Sequence, residues 1–509
     1  MDKFVQGLER ESNKTLTENG AVAFSSTGNK LLDLFGTIGA LRSRPAASIN
    51  GKFMEAFLED KLLAMKMLFY ARNIRGGLGE RETAKVIYSF MADNYPEIMK
   101  KNLALVPFFG RWDDMYVFVG TKLEKEAFDL MKEQFLADLT ALQKNEKTIS
   151  LLGKWLKSAE HVSYASCRLG KITAKHFGLS LKQYRKSLSL LRDRLNVLER
   201  NMSRQEWERI QYEEIPALAM KKYHNALQAH SIKKFTEYIE KVKAGTAKIN
   251  AATLYPYNIL EDCQLDEDWH SETFFLRNWN EVAEAQWKAL PNYVEGENNI
   301  LVMADTSGSM SGRPLLTSIG LAMYFAERNK GAFKDTFLTF SRIPSLVKLK
   351  GENLREKVRC IKDICENTNI EAAFDLVLRT AIENDLKQDE IPKAIIIISD
   401  MEFDSATGKR SGWYGRPIIK EEEYTNHSTL MSEISAKYLS HGYKLPKIVY
   451  WNVDARNNTY HAVSEWKNVA LVSGQSTSTF KTVLRSIDED PIQTMLNTLN
   501  DPMYDVVQI

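Results

Sequence analysis

The stretch Ile300-Leu301-Val302-Met303-Ala304-Asp305-Thr306-Ser307-Gly308-Ser309 opens on five apolar residues and closes on a carboxylate with hydroxyls around it. An apolar run with no polar residue to face water suits a strand covered on both faces, as in a parallel sheet. A second run of this kind, Ala394–Ile398, leads into Ser399-Asp400. Working outward, the spacing of apolar residues predicts helices over Leu315–Arg328, Asn353–Ile364, Ile370–Glu383 and Leu430–Leu439. Strands are predicted over Asp335–Phe340, Ile448–Val453 and Val469–Val472, with Leu346–Leu349 as a hairpin partner. Strands alternating with helices predict a doubly wound α/β domain over residues 296–509.

In such sheets the ligand crevice lies at the C-terminal ends of the strands. Asp305, Ser307 and Ser309 sit there as D-x-S-x-S, with Gly308 letting the loop curl so that the hydroxyls converge. Thr368, before the helix at Ile370, and Asp400, after the second apolar strand, add two more oxygens. Hard oxygen donors of this sort suit Mg²⁺, and they serve Ca²⁺ or Mn²⁺ as well. Glu402 is the one nearby carboxylate that could act as a base toward a metal-bound water. A long segment, Gly408–Pro417, follows the Asp400 loop on the same side of the predicted sheet.

The first half of the chain has a different character. Residues 1–250 carry 41 Lys and Arg against 29 Asp and Glu, although the whole 509-residue chain has a net charge of only +2. From Lys52 to about Asn250 the apolar spacing is helical almost throughout, in short segments joined by short loops. That pattern predicts an α-helical, HEAT-like repeat domain over residues 1–295, possible to close into a ring. Residues 151–200 hold 11 basic and 3 acidic residues, with Lys171, Lys175, His176, Lys182, Arg185, Lys186, Arg192 and Arg194 at their centre. A clustered positive field of this kind attracts polyanions, nucleic acid first. Asn73–Arg81 (NIRGGLGER) lacks the spacing of a phosphate loop and reads as a turn between helices; Phe109–Asp114 (FGRWDD) reads as a loop with an Asp N-cap. No apolar run approaches membrane-spanning length, no secretory signal is visible, and four cysteines without a CxxC pair predict a reduced, cytoplasmic protein.

The D-x-S-x-S loop, the Thr before a helix and the Asp after an apolar strand resemble the metal-ion-dependent adhesion site of von Willebrand factor A domains. The resemblance implies that Asp305, Ser307, Ser309, Thr368 and Asp400 hold a metal whose open position takes an acidic residue from a protein partner. Two departures stand out: Glu366-Asn367-Thr368 replaces Gly-Gly-Thr, and Ser399-Asp400-Met401 replaces Thr-Asp-Gly. Over the whole chain, a helical array followed by an A-like domain is similar in plan to the Ro autoantigen (TROVE) family. The longer motifs are similar to an uncharacterised domain-of-unknown-function family with the same layout: Asn19–Asn29, Asn73–Arg81, Tyr184–Met202, Ile397–Asp404, Tyr450–Val453 and Leu471–Gly474. The Ro resemblance implies a non-enzymatic protein that binds small non-coding RNA or single-stranded RNA ends. Two alternatives stand beside it: a metal-dependent protein scaffold that binds no RNA, and a metal-dependent nuclease or phosphatase.

Overall fold

The computed structural model describes residues 2–146, 148–160, 162–268, 270–294, 299–340, 344–362, 368–404 and 429–509. The chain divides into two compact units. One comprises residues 1–45, 54–60 and 254–501; the other comprises residues 46–53, 61–253 and 502–509.

The first unit is built on a mixed sheet of six strands. Its members are β5 (Ile300–Asp305), β6 (Thr336–Phe340), β7 (Ser345–Lys348), β8 (Ala394–Ser399), β9 (Lys447–Asn452) and β10 (Val469–Ser473), in the order β10-β9-β8-β5-β6-β7. Only β7 runs antiparallel to its neighbour. All residues of β5, β8, β9 and β10 are buried, which is why these strands read as continuous apolar runs. The helix Arg313–Arg328 packs on β5, β6 and β8. After β5 the chain passes to β6 on one side, and it later returns to β8 on the other. The sheet therefore has a topological switch point between β5 and β8, where the crevice opens.

The predicted boundary at residue 295 is displaced at both ends. Segment 254–294 belongs to the α/β unit, because its helices and its hairpin pack there. Gly320 lets the helix Pro256–Asp262 lie close on Arg313–Arg328: a Cβ at Gly320 would come within 2.8 Å of the Pro256 ring. Trp287 Nε1 donates to Glu327 at 2.8 Å, and the hairpin β3 (Leu265–Asp268) to β4 (Thr273–Leu276) completes the segment. Residues 1–45 also join this unit, through the short hairpin β1 (Lys14–Leu16) to β2 (Val22–Phe24) and the helix Lys30–Phe35 on β10. Alternation is too short in these four strands for a period to show in the sequence.

The second unit is helical, with no strand among its described residues. The helical spacing from Lys52 to Asn250 resolves into separate helices, among them Glu124–Gln143, Leu181–Arg194 and Leu198–Ser203. Residues 502–509, expected with the α/β domain, pack here instead. Tyr504 stacks on Phe109 with centroids 5.4 Å apart, and its hydroxyl accepts from Asn73 at 3.0 Å. No described helix is long and apolar enough to cross a membrane.

Candidate functional site

Asp305 is the last residue of β5, and Asp400 follows β8, its hydrogen-bonded neighbour. The parallel register therefore brings two carboxylates from distant parts of the chain to one crevice. Both are buried. Oδ1 of Asp305 accepts from the Ser307 amide at 2.9 Å, and Oδ2 accepts from the Ser399 hydroxyl at 2.5 Å. The hydroxyls of Ser307 and Ser309 lie 3.1 Å apart, as the curl at Gly308 predicts. Oδ1 of Asp400 accepts from the Glu402 amide at 3.2 Å, while its Oδ2 is buried without a hydrogen-bond partner. Thr368 is buried, and its carbonyl accepts from the Asp404 amide at 3.0 Å, which ties the loop before the Ile370 helix to the Asp400 loop. Glu366, Asn367 and segment 408–417 lie outside the described residues.

The electrostatics of the pair are unfavourable as they stand. Burial first, then the charge of Asp400, pushes Asp305 up to about 7. Burial also raises Asp400, against the pull of the Glu402 amide, the Ser309 hydroxyl and Arg456. Arg456 is the one cation in reach among the described residues: Nη2 lies 3.8 Å from Asp400 Oδ2 and also bonds the Ser309 carbonyl. A buried carboxylate oxygen without a donor, two like charges and two converging hydroxyls fit a divalent cation held by oxygens. When bound, the cation would supply the missing counter-charge and a coordination position open to an outside ligand. Among the described residues, no group of three or more His, Cys, Asp and Glu is arranged to hold a metal. The site therefore depends on its hydroxyls as well as its two carboxylates.

Several residues that shape this loop carried no sequence signal. Glu402 is not poised as a base. Its Oε2 accepts from the Glu18 amide at 2.6 Å, and its Oε1 accepts from Asn457 and from Thr459, each at 3.1 Å. Asn19 donates to the Glu402 carbonyl at 2.5 Å and Thr17 to the Phe403 carbonyl at 2.6 Å, so segment 17–20 is clamped along the loop. That segment begins the Asn19–Asn29 motif, and the contact explains a motif that chemistry alone did not. Met401 adopts φ 70°, the left-handed conformation that glycine takes without cost. Here burial of the Met401 side chain and a 2.8 Å bond from its carbonyl to Nε2 of His461 hold it. His461 is itself buried, and burial lowers it to about 4, so it is neutral and donates that bond.

The basic stretch of the helical unit is spread over two helices, Tyr164–Phe177 and Leu181–Arg194. Lys171, Lys175, Lys182, Arg185, Lys186 and Arg194 are exposed. Arg185 pairs with Glu160 at 2.6 Å, and Arg194 bonds the Glu146 carbonyl. His176 stacks on Phe128 with centroids 4.2 Å apart and bonds Glu124 at 2.9 Å. Arg192 turns inward and donates to the carbonyls of Gly153 and Leu156 at 3.1 and 2.6 Å. Tyr184, which opens the Tyr184–Met202 motif, is fully buried, and its hydroxyl donates to the Lys157 carbonyl at 2.8 Å.

Fold and site together define a two-part protein: a helical unit, and an α/β unit with an oxygen-rich loop crevice at its switch point. The chain belongs to the family described as Domain of unknown function (DUF2828), which matches residues 17–147 and 163–299. A second family, Domain of unknown function (DUF7788), matches residues 299–501. The chain is also similar to "Uncharacterized protein L728" of Acanthamoeba polyphaga mimivirus, at 27% identity over 96% of this chain and 87% of that protein.

Proposed function

We propose that the α/β unit is a von Willebrand A-like module that binds a divalent cation, Mg²⁺ first, through Asp305, Ser307, Ser309, Thr368 and Asp400. The cation's open position would take an acidic residue of a protein partner. The helical unit, HEAT-like in this reading, binds RNA, on a plan similar to Ro and without catalysis. The observation that carries the cation reading is the buried Asp305–Asp400 pair with an orphaned Oδ2. Support for RNA comes from the exposed lysines and arginines of helices Tyr164–Phe177 and Leu181–Arg194. Both oxygens of Glu402 are engaged, which argues against hydrolysis by this site.

The test is binding of a mixed cellular RNA pool at two salt concentrations, with Mg²⁺ or with EDTA. Lys182→Glu, Arg185→Glu and Lys186→Glu form the matched variant; Arg192 is left intact because it braces the 153–158 loop. Salt-sensitive binding that the variant loses is the expected result. No binding by the unaltered protein at low salt overturns the RNA reading. A second reading, a cation-dependent scaffold without RNA, is favoured by the engagement of Arg185, Arg192, Arg194 and His176 within the protein.

A further inference from the structure

The motifs Asn73–Arg81 and Phe109–Asp114, read from sequence as a turn and a loop, meet inside the helical unit. Arg72 is 2% exposed and donates through Nε and Nη2 to Oδ2 of Asp114, at 2.8 and 2.6 Å; Asp114 is 0% exposed. Arg81 reaches Asp114 Oδ1 at 3.0 Å and Asp113 Oδ2 at 2.5 Å. Nε of Arg111 lies 3.1 Å from Asp113 Oδ1, and Nζ of Lys157 lies 3.8 Å from Asp113 Oδ2. Trp112 is half-buried, and the group under the Arg111 side chain is Trp155.

The charges do not balance. Arg72 and Asp114 cancel, leaving Arg81, Arg111 and Lys157 around Asp113 alone, a surplus of two positive charges. They are also layered. The side chains of Asp113 and Asp114 are 4% and 0% exposed, whereas those of Arg81, Arg111 and Lys157 are 34%, 25% and 30% exposed. The carboxylates form a floor, and the cations stand above it facing solvent. Burial lowers both Arg111 and Lys157, Asp113 pulls each back up, and their cationic neighbours lower them again; Arg81, paired with both aspartates, is raised. Half-buried cations that repel one another are costly unless an anion joins them.

The cations are also held in place. The Lys157 amide donates to the Tyr116 hydroxyl at 3.0 Å, and its carbonyl accepts from Tyr184 at 2.8 Å. Arg192 fixes the Gly153 and Leu156 carbonyls on either side of Lys154–Trp155, and the Trp155 ring centroid lies 4.2 Å from the Arg111 guanidinium. The order of this loop thus rests on buried groups rather than on the ligand. We propose that Arg81, Arg111 and Lys157 form a seat for a phosphate group, with Trp155 as the wall beside it. A phosphate dianion matches the surplus of two, and guanidinium forks pair with phosphate oxygens two at a time. The seat stands apart from the RNA reading: its ligand is a small phosphate ester or one phosphate of a polynucleotide.

The test is calorimetric titration of the full chain with inorganic phosphate. Lys157→Gln is the first variant, because Lys157 approaches Asp113 only at 3.8 Å and its loss leaves the floor intact. Arg111→Gln is the second, with circular dichroism confirming that each variant is folded. Each is expected to weaken phosphate binding about tenfold or more. Competition by a single-stranded oligonucleotide identifies a polynucleotide as the source, and competition only by a nucleoside monophosphate identifies a small ester; either supports the seat. Unchanged affinity in both folded variants, or no heat with millimolar phosphate, overturns it. RNA binding that persists in both variants while phosphate binding is lost supports the seat with a small ester as its ligand and leaves the RNA reading standing apart from it.

Discussion

Two pairs of buried aspartates, one in each unit, are in opposite electrostatic states. Asp113 and Asp114 sit under four cations, and the charge of Arg72 with donors from Arg72, Arg81 and the Arg111 amide outweighs burial and lowers Asp114. Among the described residues, Asp305 and Asp400 have only Arg456, 3.8 Å from Asp400; burial raises both, and the charge of Asp400 raises Asp305 further. Burial is common to the two pairs, so it does not decide their state. The supply of counter-charge does. One pair has cations to spare and faces solvent through them; the other lacks a cation and has hydroxyls arranged to help hold one. On the two proposals above, a surplus and a deficit of the same chemistry would make two sites for ligands of opposite sign.

The largest effect separates the pairs by stability. Asp114→Asn removes the partner of a fully buried Arg72, and an uncompensated buried charge of this kind costs about 3–5 kcal/mol. Asp305→Asn removes a charge that the fold already resists, so in EDTA it should be close to neutral or stabilising. Urea unfolding followed by circular dichroism measures both. Equal losses in EDTA would break the contrast, because they would mean that Asp305 is paired as well as Asp114.

A somewhat smaller effect comes from the cation. Mg²⁺ at one hundred times its dissociation constant should stabilise the protein by about 2.7 kcal/mol, and Asp305→Asn should abolish the shift in Tm. The pH dependence has a definite sign. Without metal, folded Asp305 keeps a proton up to about 7, well above an ordinary carboxyl, so it favours the folded state at low pH and that advantage is lost as pH rises to about 7. Mg²⁺ requires the proton to leave, so its stabilisation grows through the same interval. His461, lowered to about 4, acts oppositely: its contribution is present above the ordinary histidine value and is lost as pH falls toward 4. In EDTA the two trends offset one another below neutrality. Asp305→Asn should therefore expose a steeper acid loss of Tm than the unaltered protein shows.

Much of this was legible in the sequence, for identifiable reasons. Helix Ile370–Glu383 and strand Ala394–Ser399 have the predicted bounds, because fully buried strands and long amphipathic helices leave unbroken patterns. Asp305, Ser307, Ser309 and Asp400 were found because they end such strands. What was not legible depends on contacts between distant residues. Nothing local links Glu18 to Glu402, or Arg456 to Asp400, and Glu18 and Arg456 lie outside any motif with a chemical rationale. The seat was missed for the same reason. Arg81, Arg111 and Lys157 come from three separate segments, and nothing in the sequence shows that these segments meet, whereas the basic stretch 151–200 is conspicuous only because its charges are adjacent in sequence. Adjacency proved a poor guide there: Arg192 turned inward and Tyr184 became part of the core.

The smallest effect on stability concerns the exposed lysines of that stretch. Lys182 and Lys186 project from helix Leu181–Arg194 into solvent, so Lys182→Glu with Lys186→Glu should change unfolding free energy by only about 0.5 kcal/mol or less per site. Their effect on RNA is of another kind. Each phosphate contact contributes about 0.7 to the slope of log affinity against log salt for a single strand, so losing two should flatten that slope by about 1.4. Lys157→Gln removes a charge that is preorganised and half-buried, and one phosphate fixed there should cost affinity at every salt concentration. A slope flattened by about 1.4 for the lysine pair and by about 0.7 for Lys157→Gln, with the larger loss of affinity per contact at Lys157, would place diffuse and seated phosphates on one ligand. Identical behaviour of the two variants would mean that burial adds nothing to how this protein holds a phosphate, and the distinction between the seat and the helix surface would collapse.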